Sequence, residues 1–210
     1  MTTTQDALER LKKGHESFIA GSAMPVTTQL RVQELAEHGQ HPFATVITCS
    51  DSRVSPEILF NCRLGELFVI RTAGNVLSDI EMGSVEYAVE HLHTPIVLVL
   101  GHTHCGAVQS ACEADEHGHC PPCLQTLLNK IIPSVEAARK VHTNSRAVAD
   151  MAEDLNVENT MREIILNPSL KGSESIIYGV KYDIQTSQIL YLNRGQLDAD
   201  GNVTMMCLEW

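Results

Sequence analysis

The sequence contains no basic tract: no Lys/Arg block is longer than Lys12-Lys13, and 15 Lys plus Arg stand against 26 Asp plus Glu, for a formal charge of −11. A surface that tracks phosphates needs clustered cations, so nucleic-acid binding is excluded as an expectation. Long apolar runs are missing as well. The longest, Ile96 to Leu100 and Phe43 to Thr48, have the length of buried strands and fall far short of the roughly 20 residues of a membrane span. The opening Met1-Thr2-Thr3-Thr4-Gln5-Asp6 is polar and then acidic rather than charged and then apolar, which makes the cytoplasm the expected location. Seven cysteines, an odd count, argue against a disulfide framework and leave buried thiols, metal ligands or redox groups. Internal repeats and low-complexity linkers are lacking, and 210 residues suit a single domain.

What is present is a change of period near residue 40. Before it, Thr4 and Thr28 open helical segments that Gly21 and Gly39 close, giving an N-terminal helical arm over 1–40. After it, in the region 41–210, short apolar runs (Phe43–Thr48, Leu67–Ile70, Pro95–Leu100) read as strands covered on both faces. Helix starts lie between them, at Ser55-Pro56-Glu57 and at the capping-box candidate Ser78–Glu81. A helix begun at Pro121-Pro122 is expected to break at Pro133, and Val148, Met151, Leu155 and Ile164 mark a later one. Ser175–Val180 and Ile189–Leu192 are the last expected strands. The alternation predicts an α/β fold with a mainly parallel sheet flanked by helices.

Binding sites of parallel α/β sheets gather beyond the carboxyl ends of strands. Two such ends carry reactive groups: Phe43–Thr48 runs into Cys49-Ser50-Asp51-Ser52-Arg53, and Pro95–Leu100 runs into Gly101-His102-Thr103-His104-Cys105-Gly106. If the strands are neighbours, Cys49, His102 and Cys105 form a Cys₂His set, the donor set of a zinc site with an open fourth position. The His-x-x-Cys spacing alone is a weak signal and fits better a buried thiol and a hydrogen-bonded imidazole near a glycine turn. Cys49 at the second strand end, with an acid and a base after it, is what favours a metal. Asp51 and Arg53 read either as an exposed ion pair of little weight or as a metal-side carboxylate kept ionised by a guanidinium. That carboxylate can orient a metal-activated water, or close the site as a fourth ligand. His104, adjacent and titrating near neutrality, is a candidate proton carrier. His117, His119, Cys120 and Cys123 are crowded enough for a second soft metal, but a polar loop and a Pro-started helix are the preferred reading. Cys62, Cys112 and Cys207 read as packing residues.

The pair Cys49–Val54 and Gly101–Ala107, with Gly39–Pro42, Phe68–Val76 and Gly83–Val89, resembles the β-class carbonic anhydrases, closely from Leu35 to about Ala111. The resemblance implies zinc (Zn2+) held by Cys49, His102 and Cys105, with Asp51 and Arg53 as the interacting pair beside it. It implies that Gln40 and the Gly106 N–H bind substrate, and that Phe68 and Tyr87 line an apolar pocket completed across a dimer interface. The implied fold is a parallel core with one antiparallel edge strand, assembled as a homodimer or a dimer-based tetramer. The implied reaction is hydration of carbon dioxide to bicarbonate and a proton by zinc-bound hydroxide. A non-catalytic zinc or thiol protein, or a hydrolase of a related molecule such as carbon disulfide, are the alternatives. Some relatives place a Trp three residues before the first Cys, in a regulatory bicarbonate pocket. Val46 stands there instead, so an open site is expected, with Asp51 paired to Arg53.

Overall fold

The apolar runs become the centre of one sheet. A computed structural model of the chain describes residues 2–22, 27–113, 120–198 and 200–210. Six strands, β1 (Ala44–Cys49), β2 (Leu67–Thr72), β3 (Ile96–His102), β4 (Ile176–Tyr182), β5 (Ile189–Leu197) and β6 (Val203–Leu208), are ordered β2-β1-β3-β4-β5-β6. The first four in that order are mutually parallel, whereas β5 is antiparallel to both β4 and β6. The expected antiparallel edge is present, and β6 extends it into the hairpin β5–β6. The sequence reading missed β6 because Val203-Thr204-Met205-Met206-Cys207-Leu208 is only half-buried and not rich in β-branched residues.

Helices cover both faces, which explains strands that are apolar throughout rather than alternating. On one face Val46, Leu98, Leu100 and Val180 pack under Ala7 and Leu11 of α1 (Thr4–Ile19) and Leu59 of α3 (Pro56–Leu59). On the other, Ile47, Val97, Val99 and Ile177 pack under Val85 and Val89 of α4 (Asp79–Glu90) and Val157, Met161 and Ile164 of α7 (Ser145–Ile165). α5 (Gly106–Glu113) and α6 (Pro122–Arg139) build a third apolar cluster with α7, and Cys49 and Cys105 lie within it.

Local capping follows the sequence with small shifts. Thr3, not Thr4, caps α1, in a reciprocal box with Asp6. Thr28 and Gly39 bound α2 (Gln29–His38), which buries no side chain. Ser78 and Glu81 form the expected box at the start of α4. The break expected at Pro133 does not occur: α6 runs through it. Leu128, Ile131, Val135 and Ala138 are buried around that proline, and this packing outweighs the hydrogen bond that Pro cannot make.

Candidate metal centre

From β1 the chain crosses to β2 on one side and then returns to β3 on the other, so the gap between β1 and β3 is the sheet's topological switch point. Cys49 is the last residue of β1 and His102 the last of β3, with Cys105 three residues on, just before α5. Parallel pairing of β1 with β3 puts both carboxyl ends on the same edge. One ligand atom each from Cys49, His102 and Cys105 lies within 4.8 Å of the others, and all three residues are buried. Among the described residues the group stops at three members.

His102 and Cys49 are each aimed by a backbone contact. His102 Nδ1 lies 2.9 Å from the Thr103 carbonyl, so that nitrogen carries the proton and donates it. Nε2, with its lone pair, is buried and has no hydrogen-bond partner. Cys49 Sγ accepts the Gly74 N–H at 3.3 Å. At Cys105 the Ala107 and Val108 N–H groups at the start of α5 favour the thiolate. The neighbouring Cys105 thiol is the main cause that brings the Cys49 thiol down, with burial opposing it and His102 assisting. Conversely, Cys49 and burial push Cys105 up. Two buried sulfurs this close oppose each other's ionisation, and a cation between them would favour both as thiolates. An orphaned imidazole nitrogen and two sulfurs fit a divalent metal that prefers soft donors.

Asp51 stands beside the cluster in the grip of Arg53. Arg53 Nη2 donates to Oδ2 at 2.7 Å, Nε to Oδ1 at 3.0 Å, and the backbone N–H to Oδ1 at 2.9 Å. These bonds, the side-chain ones foremost, hold the Asp51 carboxyl down at about 2. Arg71, from β2, fixes the loop beneath by donating to the carbonyls of Cys49, Asp51 and Val54 at 3.2, 2.7 and 2.9 Å. His104 has φ of 57°, and its two ring nitrogens face the Arg146 guanidinium at 3.2 and 3.1 Å.

The other sequence-predicted residues divide into two places. Gly106 opens α5 directly after Cys105, with open space where a side chain would be. Phe68 and Tyr87 meet each other, with ring centroids 6.1 Å apart. Phe68 pairs with Thr45, however, four residues before Cys49, or about 13 Å along the strand. Gln40 is exposed and precedes β1, at the opposite end of the sheet from Cys49. Within one chain, then, Gln40, Phe68 and Tyr87 do not meet the cluster. His117 and His119 lie outside the described residues, and Cys120 and Cys123 join no metal-compatible group among the described ones. Cys62 is a packing residue whose S–H donates to the Phe60 carbonyl, Cys112 is half-buried, and Cys207 is exposed on β6.

Sequence reasoning missed the polar residues behind the cluster. Glu153, Asn156 and Thr160 are buried on one face of α7, and Lys181 is buried on β4. Burial pushes the Glu153 carboxyl up, with Lys181 opposing. The signal was available as a polar i, i+3, i+7 stripe; of the apolar residues that mark this helix, Val148 and Ile164 are buried, and Met151 and Leu155 are half-buried beside the stripe.

Three soft donors converging at the switch point of an α/β sheet are a metalloenzyme's arrangement, and comparison with known proteins narrows the class. Residues 44–189 match the family model described as carbonic anhydrase. Carbonic anhydrase 2 of Mycobacterium tuberculosis is 34% identical over 184 residues, covering 85% of this chain and 87% of that one. The carbonic anhydrase of Mycolicibacterium smegmatis is 33% identical over 187 residues, covering 87% and 90%. Among solved structures, the Coccomyxa β-carbonic anhydrase in complex with acetazolamide superposes with a TM-score of 0.68 at 26% identity, over 91% of this chain and 87% of that one. One of two tetrameric β-carbonic anhydrases from Sordaria macrospora gives 0.67 at 27%, over 75% and 83%. The chain belongs to the carbonic anhydrase family, in its β class. It is a carbonate dehydratase, a lyase that interconverts carbon dioxide and bicarbonate.

Proposed function

We propose that the hydration depends on a zinc ion, which Cys49, His102 and Cys105 would hold. The observation that carries this is the buried, unpartnered Nε2 of His102 lying with two sulfurs in a group of three donors. Bound zinc supplies Lewis acidity, lowering the pKa of coordinated water from 15.7 to about 7. Asp51, ionised across the neutral range, is an acceptor and not a proton reservoir. It takes a hydrogen bond from the reacting water and orients it, while Arg53 restrains the carboxylate from turning inward as a ligand. The Gly106 N–H, at a helix start, donates to a bicarbonate oxygen.

Carbon dioxide has no charge or donor, so an apolar wall suffices to hold it. Phe68 and Tyr87 provide that wall and Gln40 a further donor, contributed to each metal centre by a second copy of the chain. Their distance from the cluster of their own chain supports this, as does the position of β2 at an open sheet edge with Tyr87 48% exposed. The assembly is accordingly a homodimer or a dimer-based tetramer. A reducing setting such as the cytoplasm is the one in which Cys49 and Cys105 stay available as metal ligands. Stopped-flow carbon dioxide hydration tests the proposal: Cys49→Ala is expected to lose zinc and rate together. A variant that loses its zinc and keeps its rate would contradict it.

A further inference from the structure

α7 packs close against the sheet at two glycines. A Cβ built on Gly101 of β3 would stand 2.3 Å from Val157 Cγ2, and one on Gly179 of β4 would stand 2.3 Å from Met161 Sδ. The helix face turned inward carries Glu153, Asn156 and Thr160, at most 5% exposed, where apolar residues would pack without a desolvation penalty. All three are committed to the backbone of loops that carry or contact the sulfurs. Glu153 Oε1 accepts the Cys105 N–H at 3.1 Å. Asn156 Nδ2 donates to the Gly74 carbonyl at 2.7 Å, and Gly74 is the residue whose N–H donates to Cys49 Sγ. Thr160 Oγ1 donates to the Asn75 carbonyl at 3.1 Å. Glu153 is itself fixed from β4: Lys181 Nζ lies 3.3 Å from Glu153 Oε2 and 2.9 Å from Asp154 Oδ1, and donates to the Asp150 carbonyl at 2.9 Å.

The loops holding Gly74 and Cys105 come from different strands and are 31 residues apart in sequence. One rigid helix ties both, through side chains one turn apart. We propose that Glu153 and Asn156 are positioning residues of the metal centre, with α7 serving as a bar that sets the two sulfurs at the separation one ion requires. Neither is a member of the donor group: Glu153 acts through the Cys105 N–H, and Asn156 through the Gly74 carbonyl, which fixes the residue whose own N–H, on the preceding peptide, donates to Cys49. The inference rests on the metal reading of Cys49, His102 and Cys105.

The test is zinc affinity by chelator competition, with the visible spectrum of the cobalt(II)-substituted protein as an independent report of donor geometry, and thermal unfolding recorded alongside. Glu153→Ala and Asn156→Ala are expected to weaken zinc binding by about 10- to 100-fold and to shift the cobalt bands. Glu153→Gln keeps an oxygen acceptor for the Cys105 N–H, and is expected to restore both readouts. Thr160→Val removes a comparable buried bond to Asn75, whose amide reaches no sulfur, and is expected to lower the unfolding temperature with zinc affinity unchanged. Variants that unfold earlier while retaining the parent's zinc affinity and cobalt spectrum would overturn the proposal, as would a Thr160→Val effect on affinity equal to that of Asn156→Ala. A parent protein that takes up no zinc would remove the metal reading itself, and this is visible before any variant is compared.

Discussion

Arg53 holds both oxygens of Asp51, at 2.7 and 3.0 Å, and adds its own backbone N–H to one of them. Two residues apart in sequence, the pair turns a carboxylate beside three buried metal-type donors into a fixed acceptor that is not itself part of the donor group.

Asp51→Ala is therefore expected to keep zinc and lose turnover by about 100-fold or more, the size of effect seen when an oriented hydrogen-bonding group is removed from a reacting centre. Arg53→Lys retains the charge but not the two-pronged grip, and is expected to lose rate as well. Metal analysis and stopped-flow rates on the same preparations check this. Full rate in Asp51→Ala would remove the assigned role.

The same pair sets an acid-side stability window. Asp51 falls from 3.8 to about 2 in the folded chain, so its carboxylate stabilises the fold above the unfolded value, and that contribution is lost as pH falls through the folded value. Wild type is expected to be more stable than Arg53→Ala above about pH 4, with the difference vanishing towards pH 2. Unfolding curves of the two proteins between pH 7 and pH 2 measure it, and a difference independent of pH would contradict it.

Gly101→Ala is expected to destabilise the fold by about 1–3 kcal/mol, because the new methyl meets Val157 Cγ2 and a β-branched side chain in a helix has little rotamer freedom to move aside. Combining it with Val157→Ala is expected to recover most of the loss, as thermal unfolding of the single and double variants would reveal.

A site completed by a second copy predicts complementation between two inactive chains. Cys49→Ala lacks a donor and Gln40→Ala lacks the contribution to its neighbour, yet a mixed dimer contains one site with both residues intact. Random reassortment of equal amounts is expected to recover about one quarter of wild-type activity. No recovery after verified subunit exchange would mean that Gln40 serves no neighbouring site.

The parallel core was legible because Phe43–Thr48, Leu67–Ile70 and Pro95–Leu100 are short and apolar on both faces, a pattern that few other environments permit. The donor set was legible because Cys49, His102 and Cys105 follow those strands directly, so that the strand ends alone bring them near one another. Arg53 and Asp51 are neighbours in sequence and needed no tertiary information. β6 was not legible, since its half-exposed residues lack a strong period, and neither was the passage of α6 through Pro133, which depends on packing contributed by other helices. Glu153, Asn156 and Lys181 were hidden for a different reason. A polar residue on a helix or strand reads as solvent-facing until the fold shows what it grips, and their partners lie between 31 and 82 residues away.

The most direct measurement is a zinc titration of chelator-stripped protein with the carbon dioxide hydration rate read at each point. The rate is expected to rise linearly and level off at about one zinc per chain, with no such rise in Cys49→Ala. A rate indifferent to zinc, or a chain that binds its full complement of zinc at Cys49, His102 and Cys105 and remains inert, would contradict the account.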